Sequence, residues 1–259
     1  MKISLIICVY KNINFLDLVM RSALLQSYTD FEVIVAEDND SEEMADYIEK
    51  QNAESNVTIK HVFQKDSGFR KSKILNNAVT ASDGDFIVFI DGDCLIHKEF
   101  LSQYAKQARE NTCLFGRRVM LSRKLSDKFL HGKKTMPVNV LDLLFSGNKK
   151  IEEGFYLPFF KSFRNSGLKG CNIGLSKELL EKINGFDEDY EKPWGGEDTD
   201  LERRLRLAGA EFKCTKFKTI QYHLYHELIS REDPEESRAF VDMKKRSTEW
   251  FCKNGLLKD

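Results

Sequence analysis

Residues 84 to 97 read GDFIVFIDGDCLIH, and this stretch decides which fold the chain is expected to adopt. The apolar run from Phe86 to Ile90 is too short for a helical repeat and is rich in β-branched and aromatic residues, so it predicts a buried parallel strand. Asp91 and Asp93 follow at once, separated by Gly92. Ligands bind open α/β sheets outside the carboxyl ends of their strands. We therefore expect the two carboxylates to lie at a ligand-binding edge.

Strand-like runs alternate with helical patterns in the first third of the chain. The runs cover residues 3–9, 31–36, 57–63 and 85–90, and the helical patterns cover about 14–27, 41–52 and 70–81. This alternation predicts βαβ units, and hence a parallel sheet with right-handed crossovers.

The rest of the chain is less regular. A helix is predicted near 98–110, a strand near 113–120 and another strand near 211–220. Residues 121–168 mix basic patches with aromatic residues and two prolines, a combination typical of a specificity insertion or a mobile flap. Because no repeat or linker interrupts the chain, we expect one α/β domain over residues 1–259 with a substrate-side extension.

Composition excludes several classes of protein. The 40 Lys and Arg residues nearly cancel the 41 Asp and Glu residues, so no nucleic-acid partner is expected. No apolar stretch approaches the roughly 20 residues of a spanning helix, and the opening MKISLIICVYKN is interpreted as the first strand. The cysteines show no paired or metal-binding spacing, which predicts reduced thiols in a cytoplasmic protein. They are Cys8, Cys94, Cys113, Cys171, Cys214 and Cys252.

The Asp-Gly-Asp triplet has two interpretations. Asp91 and Asp93 stand at i and i+2 of an extended segment, so both point to one face, where Gly92 lets a ligand approach the backbone. Two adjacent oxygen donors suit a Mg²⁺ or Mn²⁺ ion that also holds phosphate oxygens. The alternative is an ordinary Asp-Gly turn at a strand end. Neither a P-loop nor a G-x-G-x-x-G motif follows the first strand, which continues as Val9-Tyr10-Lys11-Asn12.

A second group of acids lies in PWGGEDTDLERRLRLAG, residues 193–209. Glu197 and Asp198 fall at the start of a predicted helix, where a capping role would be ordinary. Capping does not explain why Trp194 and two glycines precede them. An aromatic ring beside a carboxylate is typical of a sugar-binding site, because sugars stack their apolar faces on such rings. Asp200 is expected to turn away by about 200° around the helix.

The third group is YHLYH, in which His223 and His226 stand three residues apart, soon after the predicted strand at 211–220. A lone histidine is more often structural than a metal ligand. Two of them form a possible edge of a metal site, which a carboxylate such as Asp93 would complete as an open site.

In this order the motifs resemble the family 2 glycosyltransferases of GT-A fold. The segments that carry the resemblance are ISLIICVYKN, VIVAEDND, DSGFRKSKILNNAV, FIDGDC, GRRV, KGCNIGLSKELLEKINGFDEDY, WGGEDTDLERRL and HLYH. The subgroup resembles bacterial chondroitin-polymerase domains and, in its C-terminal third, the metal-dependent β-galactosyltransferases.

The resemblance implies a fold and an activity. The fold would be one Rossmann-like, mostly parallel sheet with helices on both faces and an acceptor-side extension. Residues 1–120 would form the nucleotide-sugar-binding half, and residues 121–259 the acceptor-binding half with a C-terminal helix. The activity would be inverting transfer of a hexose or N-acetylhexosamine from a UDP-sugar to an acceptor hydroxyl with Mn²⁺ or Mg²⁺. The acceptor would be a glycan or a lipid-linked glycan in surface polysaccharide synthesis.

The resemblance also assigns donor-binding residues. Tyr10 would lie against the uracil, and Asp38 would hydrogen-bond its edge. Arg70 would reach toward the phosphates, and Asp91 would meet the ribose. Leu75 stands where many members of the family have arginine.

The metal would be bound by Asp93 and His226, with His223 in the place of a methionine ligand of the β-galactosyltransferases.

On the acceptor side, the resemblance implies that Trp194 supports the sugars, Glu197 holds donor or acceptor hydroxyls, and Asp198 is the catalytic base.

Two other functions stay open from the sequence. A nucleotidyltransferase that makes activated sugars would need an N-terminal glycine-rich loop, which Tyr10-Lys11-Asn12 does not provide. A non-catalytic UDP-sugar-binding protein would not need all four acids, which are Asp91, Asp93, Glu197 and Asp198. Residues 121–168 could touch a membrane that bears a lipid-linked acceptor, which would place the protein peripherally at the inner face, but the sequence favours a solvated flap.

Overall fold

The computed structural model describes residues 1–192, 196–227 and 234–258. In this part of the chain, ten strands form two sheets. They are β1 (Ile3–Val9), β2 (Phe31–Glu37), β3 (Ile59–Phe63), β4 (Phe86–Asp91), β5 (Cys94–Ile96), β6 (Thr112–Phe115), β7 (Arg117–Met120), β8 (Ile173–Ser176), β9 (Glu211–Cys214) and β10 (Ile220–His223).

The larger sheet has the order β3-β2-β1-β4-β8-β6-β9. Within the described residues β8 runs antiparallel to β4 and β6, and the other neighbouring strands are parallel. The predicted α/β class with a mostly parallel sheet is therefore confirmed. The strands predicted at 3–9, 31–36, 57–63 and 85–90 all occur, each within two residues of its predicted ends.

Helices cover both faces of this sheet. Leu5 and Ile7 of β1 point into one core with α1, α2 and α4, whereas Ile6 points into a second core with α3, α7 and α8. This alternation is the period-two pattern of a strand that is buried on both faces. The helices are α1 (Ile13–Leu24), α2 (Glu42–Glu54), α3 (Lys71–Thr80), α4 (Phe100–Gln107), α5 (Arg123–Leu130), α6 (Val140–Phe145), α7 (Lys177–Lys182), α8 (Glu197–Leu207) and α9 (Pro234–Lys245).

Two strands predicted as continuous are split between the two sheets. The predicted strand at 113–120 becomes β6 and β7, and the predicted strand at 211–220 becomes β9 and, further along, β10. The smaller sheet has the order β5-β10-β7, and its strand β5 was not predicted. The predictions of continuity were wrong because a side chain from elsewhere in the chain holds the two sheets apart.

That side chain is Asn172, which is fully buried at the fork. Its amide donates to the carbonyl of Arg117 at 3.0 Å and to that of Thr219 at 3.1 Å, and it accepts from the Tyr104 hydroxyl at 2.6 Å. A Cβ at Gly116 would lie 2.3 Å from its Nδ2 atom, so only glycine fits there. Beyond the fork, β10 lies between β5 and β7 in the smaller sheet.

The interpretation of residues 121–168 as an irregular insertion is wrong for its first two thirds. These residues form α5, α6 and a 3₁₀ helix, Ile151–Gly154. Leu125, Phe129 and Leu143 are buried in the larger core, which explains why this segment is ordered. Residues 155–168 contain no helix or strand. Among the described residues, no helix has both the length and the apolar composition needed to cross a membrane.

Candidate active site

The carboxyl edge of the larger sheet gathers several of the predicted residues. Tyr10, Asp38 and Gln64 follow β1, β2 and β3, and Asp91 is the last residue of β4. These four strands are neighbours and parallel, so their carboxyl ends meet at one edge. This is the edge at which α/β sheets bind ligands.

Asp38 is buried at this edge and held by two donors. Its carboxylate accepts from the side-chain amide of Gln64 at 2.6 Å and from the backbone N–H of Arg70 at 2.8 Å. Gln64 also donates to the carbonyl of Arg70 at 3.1 Å, while its own Oε1 is buried without a hydrogen-bond partner. Gln64 was not predicted as a site residue, although a polar residue directly after a strand was the available signal.

Two other predicted donor-binding residues, Arg70 and Tyr10, make contacts with the loop at Lys65 and Asp66. The Arg70 guanidinium donates to the carbonyl of Lys65. Tyr10 is exposed, and its hydroxyl donates to Asp66 at 3.2 Å. The structure therefore brings Asp38 and the backbone of Arg70 together, but it leaves the Tyr10 ring open to solvent.

A lysine that the sequence analysis missed lies between the two groups of acids. Lys71, the first residue of α3, places its Nζ 2.8 Å from Asp91, and Arg118 of β7 lies 3.5 Å from the same carboxylate. Burial works to lower the pKa of Lys71, but the charge of Asp91 raises this pKa well above its usual value. Glu197 and Asp198 act in the same direction, so Lys71 is close to both acid groups.

Lys71 also supplies a positive charge near Leu75, which stands where many members of the family have arginine. The two residues stand one helical turn apart on α3, and Leu75 is buried in the second core, where it offers nothing to a ligand. The cation that α3 places against Asp91 is therefore Lys71.

Asp93, His223 and His226 converge as the sequence predicted. Asp93 lies in the connection between β4 and β5, and His223 is the last residue of β10. Antiparallel pairing sets His223 opposite Cys94, and the N–H of Leu224 donates to the Asp93 carbonyl at 2.8 Å. The smaller sheet thus positions the histidines against the carboxylate.

The three ligand atoms are spaced as ligands of one divalent ion would be. Asp93 Oδ2 lies 3.4 Å from Nε2 of His223 and 3.1 Å from Nε2 of His226, and the two nitrogens are 3.2 Å apart. Neighbouring ligands around an ion with bonds of about 2.1 Å lie about 3.0 Å apart in octahedral and about 3.4 Å apart in tetrahedral geometry. A mixed set of imidazole and carboxylate donors suits Mn²⁺ better than Mg²⁺. These residues therefore fit a divalent metal.

Protonation in this group follows the same contacts. Burial would raise the pKa of Asp93, but hydrogen bonds from His223 and His226 hold it well below its usual range. The carboxyl group is thus ionised, as a metal ligand must be.

Glu197 and Asp198 begin α8 and are half-buried. Burial raises the pKa of both carboxyls, while the charge of Lys71 opposes that rise. The Gly170 N–H donates to Asp198, and a Cβ at Gly170 would lie 2.5 Å from its Oδ1 atom. A side chain at position 170 would therefore push this carboxylate aside.

The capping interpretation of these acids finds no support. The N-cap of α8 is Gly196, in the left-handed conformation, and no side-chain cap hydrogen bond is present. Asp200 turns inward, as expected, and its carboxylate accepts from Arg204 at 2.6 Å and from Arg203 at 2.8 Å. Trp194 lies outside the described residues.

Two family models match the sequence. Glycosyl transferase family 2 matches residues 4–183, and the N-terminal domain of galactosyltransferase matches residues 157–227.

Among curated relatives, chondroitin synthase of Pasteurella multocida (strain Pm70) is 27% identical over 82% of this chain and 23% of that protein. Chondroitin synthase of Escherichia coli is 25% identical over 85% of this chain and 34% of that protein. The chain thus spans only 23% to 34% of the length of these relatives.

Solved structures share the fold. S. aureus TarS in complex with UDP-GlcNAc has a TM-score of 0.61 and 19% identity, over 94% of this chain and 65% of that chain. The mannosyltransferase PcManGT from Pyrobaculum calidifontis, in complex with GDP-Man and Mn²⁺, has a TM-score of 0.60 and 16% identity, over 87% and 57%. With the family match over well more than half of its length, the chain belongs to glycosyl transferase family 2 and adopts the GT-A fold.

Proposed function

We propose that this chain is an inverting, metal-dependent glycosyltransferase that moves a hexose or N-acetylhexosamine from a UDP-sugar to an acceptor hydroxyl. One observation carries the proposal. The Asp93 ligand group and the half-buried Asp198 lie at one edge of the sheet, and Lys71 is electrostatically linked to Asp91 and to Asp198. A site for a leaving phosphate and a base for an attacking hydroxyl would thus lie near each other at this edge.

The donor nucleotide would lie along the ends of β1, β2 and β4. Asp38, oriented by Gln64 and the Arg70 backbone, offers carboxylate oxygens to an imide N–H such as that of uracil. Asp91 would accept from the ribose hydroxyls, and Tyr10, open to solvent, would cover the base. The fold shared with TarS, whose structure holds UDP-GlcNAc, supports a UDP-sugar as donor.

Asp93 and His226 would hold the metal, with His223 as an additional ligand. When bound, a divalent ion supplies Lewis-acid stabilisation of the charge that develops on the leaving diphosphate. The Mn²⁺ in the PcManGT structure supports manganese as the metal.

Asp198 would accept the proton of the acceptor hydroxyl. The Gly170 N–H orients this carboxylate, and Lys71 favours its ionised form against the effect of burial. A single base on the face opposite the leaving group suffices for inversion, so an α-linked donor would yield a β-linked product. Glu197, beside Asp198, would hold donor or acceptor hydroxyls, and Trp194 would support the sugar.

Surface polysaccharide synthesis is the setting that we propose, with a glycan or lipid-linked glycan as acceptor. The two chondroitin synthases support a polysaccharide product, although the chain spans only part of them. A cytoplasmic location agrees with the six cysteines, all of which are free.

The decisive experiment measures UDP release from a panel of UDP-sugars with and without Mn²⁺. We expect metal-dependent release that rises with a suitable acceptor, and a β-configured product by NMR. Release of pyrophosphate from a nucleoside triphosphate and a sugar phosphate would identify a nucleotidyltransferase instead. UDP-sugar binding with no turnover on any acceptor would favour a non-catalytic binding protein.

A further inference from the structure

Four apolar side chains in residues 155–169 are exposed to solvent. Phe159 and Phe163 are 99% and 97% exposed, and Phe160 and Leu157 are about half exposed at 54% and 48%. Soluble proteins rarely expose several large apolar side chains close together. Where they do, the exposed apolar patch marks an interaction site. We call residues 157–164 and 213–218 the basic aromatic surface.

Two contacts join the two segments of this surface. The Leu157 N–H donates to the Phe217 carbonyl at 2.8 Å, and the rings of Phe160 and Phe217 meet edge to face with centroids 5.1 Å apart. These contacts anchor the base of the loop. The exposed rings of Phe159 and Phe163 remain available to insert into a membrane or to contact a partner.

The charge of the surface has one sign. Residues 157–164 and 213–218 contain five Lys and Arg residues and no Asp or Glu, although the chain as a whole has a net charge of −1. Burial lowers the pKa of Lys218, and the charges of Lys213 and Lys161 lower it further. Within the described residues, an ion pair joins this surface to Glu153, 3.3 Å from Lys216. Most of its positive charge is therefore available to an anionic partner.

We propose that the basic aromatic surface docks the protein on an anionic phospholipid membrane, with Phe159 and Phe163 entering the headgroup region. Aromatic rings favour the membrane interface, and clustered lysines are attracted to anionic lipid. A second copy of the chain fits less well, because a two-fold contact would set these cations against their own copies. This docking goes beyond the proposed function and does not depend on it.

Docking would have a consequence for catalysis. The chain runs from Phe163 to Gly170, which lies against Asp198. The membrane-bound surface would thus stand next to the proposed base, where a lipid-carried acceptor hydroxyl would arrive. This consequence, unlike docking itself, rests on the proposed function.

Vesicle sedimentation tests the proposal. Wild-type protein is mixed with vesicles of phosphatidylcholine alone or of phosphatidylcholine with phosphatidylglycerol. We expect binding to the anionic vesicles only, and weaker binding as salt rises. The double variant F159S/F163S should bind them at least about tenfold more weakly. The double variant K161A/K213A should lose about fivefold for each lysine.

A matched control is Phe63→Ser. Phe63 is 58% exposed and belongs to β3, at the edge of the sheet opposite to β9. This variant should bind anionic vesicles like wild type. The Tm of F159S/F163S should equal that of wild type, because neither ring makes a buried contact.

Three results would overturn membrane docking. The first is no binding of wild type to phosphatidylglycerol vesicles at low salt, and the second is unchanged binding by F159S/F163S. The third is a wild-type dimer by light scattering that this variant converts to a monomer, without any vesicle binding. That result would assign the surface to a second copy. If UDP release fails for every donor while the vesicle results hold, only the proposed function is refuted.

Discussion

Replacing Asp198 with asparagine should abolish most of the turnover while leaving the fold and the donor affinity intact. Asparagine keeps an oxygen that can accept the Gly170 N–H, and its size matches that of aspartate. It cannot take a proton from the acceptor. Because general bases contribute about 100- to 10,000-fold, turnover should fall by that factor, which equals about 3–5 kcal/mol in the activation free energy.

The pH dependence of turnover tests the same role of Asp198. Burial raises the pKa of Asp198, so wild-type turnover should decline on acidification at a pH above the usual range of an aspartate. The base must be ionised to act, and its protonated form is inactive. The residual activity of Asp198→Asn should lack this acid limb.

Asp200→Asn is the matched control two residues away. Asp200 is 1% exposed in its side chain and pairs with Arg204, which is 2% exposed. Breaking a buried ion pair costs about 3–5 kcal/mol, which lowers Tm by about 6–20 °C for a chain of this size. Its turnover per folded molecule should stay near that of wild type.

The assay combines UDP release at saturating donor, calorimetry with the UDP-sugar, and thermal unfolding. We expect Asp198→Asn to change only turnover and Asp200→Asn to change mainly Tm. Turnover of Asp198→Asn within a few-fold of wild type, with a confirmed acceptor, would exclude Asp198 as base and direct attention to Glu197. If Asp198→Asn lowered Tm as much as Asp200→Asn, the role of Asp198 would be structural.

Three further predictions concern the donor side of the site. Asp93→Asn should weaken Mn²⁺ binding and metal-dependent UDP affinity in calorimetry without lowering Tm, and unchanged metal-dependent binding would remove Asp93 from the site. His226→Ala should lose more Mn²⁺ affinity than His223→Ala, because His226 matches the family's histidine ligand; a larger loss at His223 would reverse this order. Lys71→Met should weaken nucleotide binding and, because the Lys71 charge lowers the pKa of Asp198, move the acid limb of turnover to higher pH. Lys71→Arg should restore that limb, and an unshifted profile in Lys71→Met would contradict the role assigned to Lys71.

Local signals in the sequence anticipated that three of the side chains converge, but they did not anticipate Lys71. Asp93, His223 and His226 come together as expected, since a strand end and a histidine pair three residues apart leave clear local signals. Lys71 left no such signal, because a lysine at a helix start is normally solvated. Its role depends on Asp91, twenty residues away in sequence and 2.8 Å away in space. The catalytic and binding roles themselves stay predictions.

The sequence by itself determined the α/β class, the parallel strands β1 to β4 and the position of Asp91 at their carboxyl edge. These features depend on local patterns: apolar runs of strand length, alternation with helical periods, and a carboxylate directly after a run. Only the tertiary structure decided how the later strands divide between two sheets, because Asn172 and Gly116 meet across 56 residues of sequence. It also decided that Phe159 and Phe163 stand in solvent, since sequence patterns show that a ring is apolar but not whether the fold leaves it a partner.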